Sequence, residues 1–408
     1  VTTVLHPGDS LSGRQRLVYV LVLGALTALG PFTIDLYLPS LPDVQREFAV
    51  GTSLVQLTLS ATTIGFALGQ LLVGPWSDAV GRRIPLIAAT GMHVVASILV
   101  ALSPSIEWLI LFRLLQGFGA AAGGVVAVAT VRDLFGGYPL VKMLSRLALV
   151  SGLAPVIAPL AGSALLLVFP WRGIFWVLAA YGLLVVAAAI VFIVETLPAH
   201  HRKSGRVGAA ARYRALFGDR QFVGIAIVSG MVFSGLFAYL TTTPFLFQDH
   251  FRFTAQQYGL LFAVNSVGVI IGVQAGSRLA RHIGPQWILA LAGGGLLLTA
   301  IVIVLDSLLG AGVWGILVPL WFFLTFCAFC FPCVQALALA NHGGEAGTAA
   351  SVLGAANFGI AGLISPLIGL FSVSNAIGMG VVMICTSIVG TLALWLVVRP
   401  GTVAALEH

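Results

Sequence analysis

The sequence predicts an all-α integral membrane protein with twelve transmembrane helices, and three observations predict it. Only 8% of the 408 residues are charged against 59% hydrophobic, with a mean hydropathy of +1.07. A soluble domain carries roughly 25% charged residues, and a chain this poor in charge has too little polar surface to face water. Apolar runs of about 20 residues recur along the chain, the length that crosses a hydrocarbon core as a helix. Lysine and arginine gather in alternate loops, as they do in multi-pass chains.

The spans fall at residues 17–38, 54–75, 84–103, 108–130, 144–168, 173–195, 221–246, 257–276, 285–305, 312–338, 347–371 and 376–398. The 48 glycines fit this reading, because glycine lets membrane helices approach closely. The longest polar stretch, 197–220, holds Arg202, Lys203, Arg206, Arg212, Arg214 and Arg220 and separates six spans from six. Two pseudo-symmetric six-helix bundles are therefore expected, over 1–196 and 221–405, joined by a basic linker over 197–220. Leu406-Glu407-His408 reads as the remnant of a tag.

Orientation follows from the basic residues. With the N-terminus in the cytoplasm, sixteen lysines and arginines fall on the inner side, and only Arg46, Arg172 and Arg252 on the outer. Both termini are therefore expected in the cytoplasm. The same scatter through short loops argues against nucleic-acid binding as the cause of the +7 net charge. Polar residues through Arg16 lead directly into a full-length span, so no cleavable signal peptide is expected.

Charge inside a membrane is costly, which makes each intramembrane charge a functional candidate. Among the acids only Asp35 lies well within a span, and among the bases only Arg113. Glu107, Glu195 and Asp306 fall at span ends, where water reaches them. Asp35 follows Pro31 in the first span, and Pro31 is expected to kink the helix where it lines a cavity. A carboxyl there binds and releases a proton as solvent access changes; the alternative is a permanent pair with a neighbouring donor. Arg113 keeps its charge. It tunes the proton site, touches substrate or serves as a structural anchor, with Gln116 one turn away on the same face.

The segment Gly74-Pro75-Trp76-Ser77-Asp78-Ala79-Val80-Gly81-Arg82-Arg83 reads as a loop between the second and third spans, in the pattern G-x-x-x-D-x-x-G-R-R. Gly81 permits a tight turn, and Arg82 is placed to pair with Asp133 at the end of the fourth span. The corresponding segment of the second half, Ser277 to Gly284, puts Arg281 where Asp78 stands, so the repeat is degenerate. A bland alternative is a loop whose charge only sets orientation. The fifth span carries Gly152, Pro155, Pro159 and Gly162; its prolines are expected to bend it and its small residues to pack it closely.

Other polar residues inside spans, Tyr239, Asn265, Gln335 and Asn357, are candidate cavity liners, with Phe262 and Phe358 as aromatic walls. Each reads equally as an interhelical contact. His93 reads as a satisfied buried histidine, with a pH sensor as the alternative. Cys327, Cys330 and Cys333 read as small buried hydrophobes rather than a metal site, because no His, Asp or Glu lies nearby in sequence.

The Gly74–Arg83 string resembles the signature loop of the major facilitator superfamily. The chain as a whole resembles the Bcr/CflA group of drug-resistance transporters within it. The carrying segments are Ile34–Pro39, Gly74–Arg83, Arg113–Gly119, Val131–Leu134, Trp171–Phe175 and Leu261–Asn265, spread over both halves. The stretch Gly152–Gly162 resembles the antiporter motif of the exporters, with Ala154 in place of the usual glycine. The resemblance implies a bacterial inner-membrane protein that acts as a monomer, exchanging protons for chloramphenicol-like or bicyclomycin-like drugs. It also implies that Gly74, Asp78, Gly81, Arg82, Arg83 and Asp133 brace the molecule during gating, with Gly152, Pro155 and Pro159 in the moving helix. Two departures stand out: Thr27 where some relatives carry a second acid, which favours neutral substrates, and Val128 where many carry an arginine. No cofactor is expected beyond the coupling proton. The rival transport reading is proton-coupled import of a sugar or other small metabolite. An enzyme is not expected, since no H-E-x-x-H, paired intramembrane Asp or Ser-His-Asp arrangement appears; nor is a channel, since no filter-like run appears.

Overall fold

The computed structural model describes residues 7–197, 213–340, 342, 346–368 and 375–403. Arg202, Lys203, Arg206 and Arg212 of the expected linker, and the tag remnant 406–408, lie outside the described residues. Twelve helices have the length and hydropathy to cross a membrane, one in each stretch the sequence marks out, and no strand occurs among the described residues.

The first half contains α1 (Gly13–Asp35), the short α2 (Leu41–Phe48), α3 (Thr52–Val80), α4 (Arg83–Ala101), α5 (Ile106–Leu134), α6 (Gly137–Leu165) and α7 (Trp171–Phe192). The second half contains α8 (Arg220–Phe245), α9 (Ala255–Ile283), α10 (Pro285–Leu309), α11 (Gly312–Leu339), α12 (Ala346–Ile368) and α13 (Ile377–Leu392). Helix starts are set by local chemistry. Ser12 and Gln15 form a reciprocal capping box on α1, at 3.3 and 2.9 Å, and Thr254 and Gln257 form one on α9, at 3.2 and 2.9 Å. Asp219 caps α8 by accepting the Gln221 N–H at 2.8 Å. Pro31 lies within α1, and Pro155 and Pro159 within α6, each inside a continuous helix.

Two compact units emerge: Val1–Tyr37 with Ala61–Ala209, and Leu38–Ser60 with Ala210–His408. In the first unit α1 packs on α5, α6 and α7, and α4 on α5 and α7. Glycines make the closest approaches. A β-carbon at Gly65 of α3 would run into the Leu114 carbonyl of α5, and one at Gly117 of α5 into the Thr62 carbonyl of α3, so neither position accepts a side chain. In the second unit α8 packs on α11, α12 and α13, and α11 on α9 and α10. The segment Leu38–Ser60 joins this unit through Gln56, which donates to the Thr241 carbonyl at 3.1 Å, and through Gln248, which donates to the Pro39 carbonyl at 3.0 Å.

One sequence reading needs correction. The supposed loop Gly74–Arg83 is mostly helix, because α3 continues through Pro75 to Val80 and leaves only Gly81 and Arg82 before α4. Proline at position 75 does not end the helix. The chain turns instead at Gly81, whose φ of +109° is a conformation that side-chain-bearing residues rarely adopt. The second half repeats this device at Gly284, with φ +88° between α9 and α10. Asp35, expected well within its span, lies inside the membrane-crossing stretch Gly13–Phe48 as the last residue of α1.

Candidate functional site

In the first unit, three segments distant in sequence meet around Arg113. Its position on α5 is fully buried. One guanidinium nitrogen, Nη1, donates to the Thr33 carbonyl of α1 at 2.9 Å and to Gln116 Oε1 at 2.7 Å. The guanidinium lies 4.8 Å from the centre of the Tyr37 ring and 5.5 Å from that of Phe175 on α7, and those two rings are 5.1 Å apart. Cation–π attraction is strongest where water is excluded, as here. Nε and Nη2 are buried and donate to no partner among the described residues. Arg113 is therefore held in place through one nitrogen while two donors stay open.

A chain of hydrogen bonds orients this group from behind. Gln116 Nε2 donates to Ser97 Oγ on α4 at 2.8 Å, and Ser97 donates to the His93 carbonyl at 2.7 Å. His93 Nδ1 lies 3.3 Å from the Gln116 carbonyl and Nε2 lies 3.4 Å from Ser97 Oγ. Both ring nitrogens of His93 thus have neighbours, and the satisfied-histidine reading describes its geometry. Sequence reasoning missed Ser97, Tyr37 and Phe175. The first was one of many span serines, and the two aromatics meet Arg113 only through tertiary packing.

Asp35 lies two residues beyond Thr33 on α1. It is only 6% exposed, and its carboxyl has no hydrogen-bond or ion-pair partner among the described residues. The alternative of a permanent pair therefore finds no donor here. A buried carboxylate without a partner is costly, while the protonated acid is not charged at all.

A second cluster lies at the junction of α3 and α4. Arg82 Nε donates to Asp133 Oδ2 of α5 at 2.8 Å and Nη2 to Oδ1 at 3.4 Å, the forked geometry of guanidinium on carboxylate. Nη1 donates to Asp78 Oδ1 at 2.5 Å and to Ser77 Oγ at 2.9 Å. Burial works against the Arg82 charge, but hydrogen bonds and charges of Asp133 and Asp78 outweigh it and raise the pKa above the ordinary arginine value. The expected Arg82–Asp133 pair is present.

Glu195 lies just past the end of its span and is partly exposed, as expected, and it also folds under the α3–α4 turn. It accepts the Arg82 N–H at 2.8 Å, the Arg83 N–H at 3.2 Å and the Leu197 N–H at 3.0 Å. An anion at the start of α4 is favoured by the helix dipole. Arg83 returns the contact by donating to the Ile190 carbonyl of α7 at 2.7 Å, and Thr196 donates to Asp133 at 3.1 Å. A β-carbon on Gly81 would collide with the Glu195 carboxylate. The second half has no such brace: Arg278 and Arg281 are exposed and form no ion pair among the described residues.

The second-unit candidates form two groups. Tyr239 of α8 is buried, accepts a hydrogen bond from Asn265 Nδ2 of α9 at 3.3 Å, and lies 5.6 Å from the Phe262 ring. Asn357 of α12 accepts a hydrogen bond from Ser229 of α8 at 2.6 Å, and Phe358 packs edge-on against Phe233 at 4.9 Å. Gln335 stands apart on α11, exposed and without a hydrogen-bond partner among the described residues. Gly152 has nothing within 4 Å of where a β-carbon would stand. The three thiols Cys327, Cys330 and Cys333 are buried within α11. Among the described residues no group of His, Cys, Asp and Glu is placed to hold a metal ion.

Comparisons with known proteins agree with one another. The sequence profile of the Major Facilitator Superfamily matches residues 22–366. An uncharacterized MFS-type transporter of Bacillus subtilis, YdgK, is 34% identical over 387 residues, covering 94% of this chain and 96% of that protein. A bicyclomycin resistance protein homolog of Haemophilus influenzae is 29% identical with the same coverage. The fold is also that of a bacterial homolog of the human lysosomal transporter Spinster, with a TM-score of 0.73 at 15% identity, covering 96% of this chain and 98% of that one.

Proposed function

As the chain belongs to the Major Facilitator Superfamily and is a membrane transporter, we propose that it exports small drug-like molecules in exchange for protons by alternating access. The observation that carries the proton half is Asp35, a buried carboxyl with no partner among the described residues. In the proposed cycle Asp35 loses its proton toward the cytoplasm as drug binds, and is reloaded from outside as drug leaves. The open nitrogens of Arg113 give the deprotonated carboxylate, or a polar group of the drug, a donor to turn to. The membrane potential contributes about 2.3 kcal/mol per charge per 100 mV, so each proton entering is able to drive a neutral drug outward.

The drug half is supported by the relative named for bicyclomycin resistance and by the two prolines of α6 in an exporter-like setting. Chloramphenicol-like and bicyclomycin-like compounds are the proposed substrates, and neutral ones are favoured because Thr27 supplies no second acid. The excess of basic residues on one side supports both termini lying in the cytoplasm of a bacterium, and one chain is proposed to act alone. Tyr239, Phe262, Asn265, Asn357 and Phe358 are proposed as drug contacts; Gln335, exposed on α11, is proposed as one whose side chain meets the drug as it enters.

The test is accumulation of bicyclomycin in bacteria lacking their own exporters. Cells producing this protein are expected to hold several-fold less drug than controls, and to lose the difference when the proton gradient is collapsed. Equal or greater accumulation in producing cells would contradict export and return the import reading to the front.

A further inference from the structure

The second unit holds a small cavity that none of the candidate drug contacts lines. It lies among α8, α10, α11 and α13 and measures about 20 Å³ over the positions open to the centre of a water molecule. Buried apolar side chains, Leu289 and Phe323 among them, form much of its wall. Gly293 of α10 makes the room: a β-carbon there would stand 2.9 Å from Thr391 Oγ1 of α13. The polar side of the cavity belongs to α13, with Thr386, Ser387 and Thr391, and Cys330 of α11 stands beside them.

The hydrogen bonds of these hydroxyls specify the ligand. Ser387 Oγ donates to the Met383 carbonyl at 2.7 Å, and Thr386 Oγ1 donates to the same carbonyl at 3.1 Å. Both have spent their hydrogen and keep lone pairs to offer. Thr391 stands one turn beyond Ser387 on the same face of α13. Its Oγ1 is buried and has no hydrogen-bond partner among the described residues. The position falls inside the membrane-crossing stretch Ile377–Thr402, at a depth where lipid offers neither donor nor acceptor. A hydroxyl left unpaired there is costly. The fitting ligand is therefore small, accepts from Thr391 and donates to its neighbours. Water meets all three demands: it needs about 10–15 Å³ by the same measure and two to four polar partners. An apolar atom of that size would leave the Thr391 hydroxyl unpaired.

We propose that this cavity binds one structural water molecule, which accepts the Thr391 hydroxyl and donates to Ser387 and Thr386 beside the Cys330 thiol. The water completes the hydrogen bonding of α13 inside the bundle, where Thr391 faces a glycine instead of a polar side chain. Waters of this kind, held by otherwise unsatisfied buried groups, are part of a fold and costly to remove. The site stands independently of the direction and substrate of transport.

X-ray hydroxyl-radical footprinting of the purified full chain, read by mass spectrometry, tests it. The radicals form from water wherever it is bound, so a side chain touching an internal water is oxidised although bulk solvent does not reach it. Cys330 is the reporter: it lines the cavity, while Cys327 and Cys333, as deeply buried on the same helix, do not. Wild type is expected to add oxygen to Cys330 faster than to Cys327 and Cys333. T391V keeps the shape and removes the hydroxyl, and G293A fills the space with its β-carbon; each loses that excess, and the second serves if the first does not fold. G294A, with nothing within 4 Å of the added carbon, retains it. Equal oxidation of the three cysteines in wild type, an undiminished excess in either folded variant, or an equal loss in G294A would overturn the proposal.

Discussion

Arg113 shows how a single membrane-embedded charge is held. A guanidinium taken from water needs donors satisfied and neighbours fixed. Here Thr33, Gln116 and two aromatic rings hold one side of it, and Ser97 holds Gln116. Ser97→Ala removes the acceptor for a buried amide and leaves Gln116 Nε2 without a partner. The expected cost is about 1–3 kcal/mol, read as a lowered thermal unfolding midpoint of the purified protein. An unchanged midpoint would show that the amide finds another acceptor and that Ser97 does not support the site. At this scale the sequence exposed the charged members and hid the rest. Asp35 and Arg113 are conspicuous because charge is rare in spans. Ser97, Tyr37 and Phe175 carry no such mark, and their part depends on which helix faces which.

The element that departs most from its sequence reading is the α3–α4 junction. Its motif looks like a loop because it holds Gly, Pro, Asp and two arginines within ten residues. Backbone hydrogen bonding carries α3 through Pro75, and only Gly81 turns the chain. The part Glu195 plays at this turn is not legible in the sequence, because its partners are backbone N–H groups, which no residue pattern displays. Gly81→Ala forces a side chain into a positive φ and into the Glu195 carboxylate at once. Loss of about 1–3 kcal/mol is expected, with weaker transport from cells that still make the protein. Gly152→Ala is the matched control, since that glycine is helical with open space around it, and its stability should hold or rise by up to about 1 kcal/mol. Equal destabilisation by both changes would mean that the turn is not special.

For the whole molecule, hydropathy alone laid out twelve spans, because a bilayer permits few alternatives to a helix about 20 residues long. Sequence similarity then set the superfamily. Less legible was how the chain divides: Leu38–Ser60 counts with the second unit although it precedes most of the first. That grouping rests on Gln56 and Gln248 reaching backbone carbonyls, contacts between residues about 200 positions apart that span counting does not register. Five of the six segments that carry the family resemblance gather in two places in the first half. Ile34–Pro39, Arg113–Gly119 and Trp171–Phe175 meet around Arg113, and Gly74–Arg83 meets Val131–Leu134 at the Arg82–Asp133 pair.

The central claim is that Asp35 carries the proton that drives drug outward. Asp35→Asn keeps the shape and removes the titratable group, so folding should persist while coupling does not. The direct measurement is internal pH in liposomes containing purified protein, followed on adding chloramphenicol. Wild type should move protons, and Asp35→Asn should move them at less than about one tenth of that rate, a difference of roughly 1.4 kcal/mol or more in the coupled step. Proton movement in Asp35→Asn at the wild-type rate would contradict the assignment and place the coupling group elsewhere.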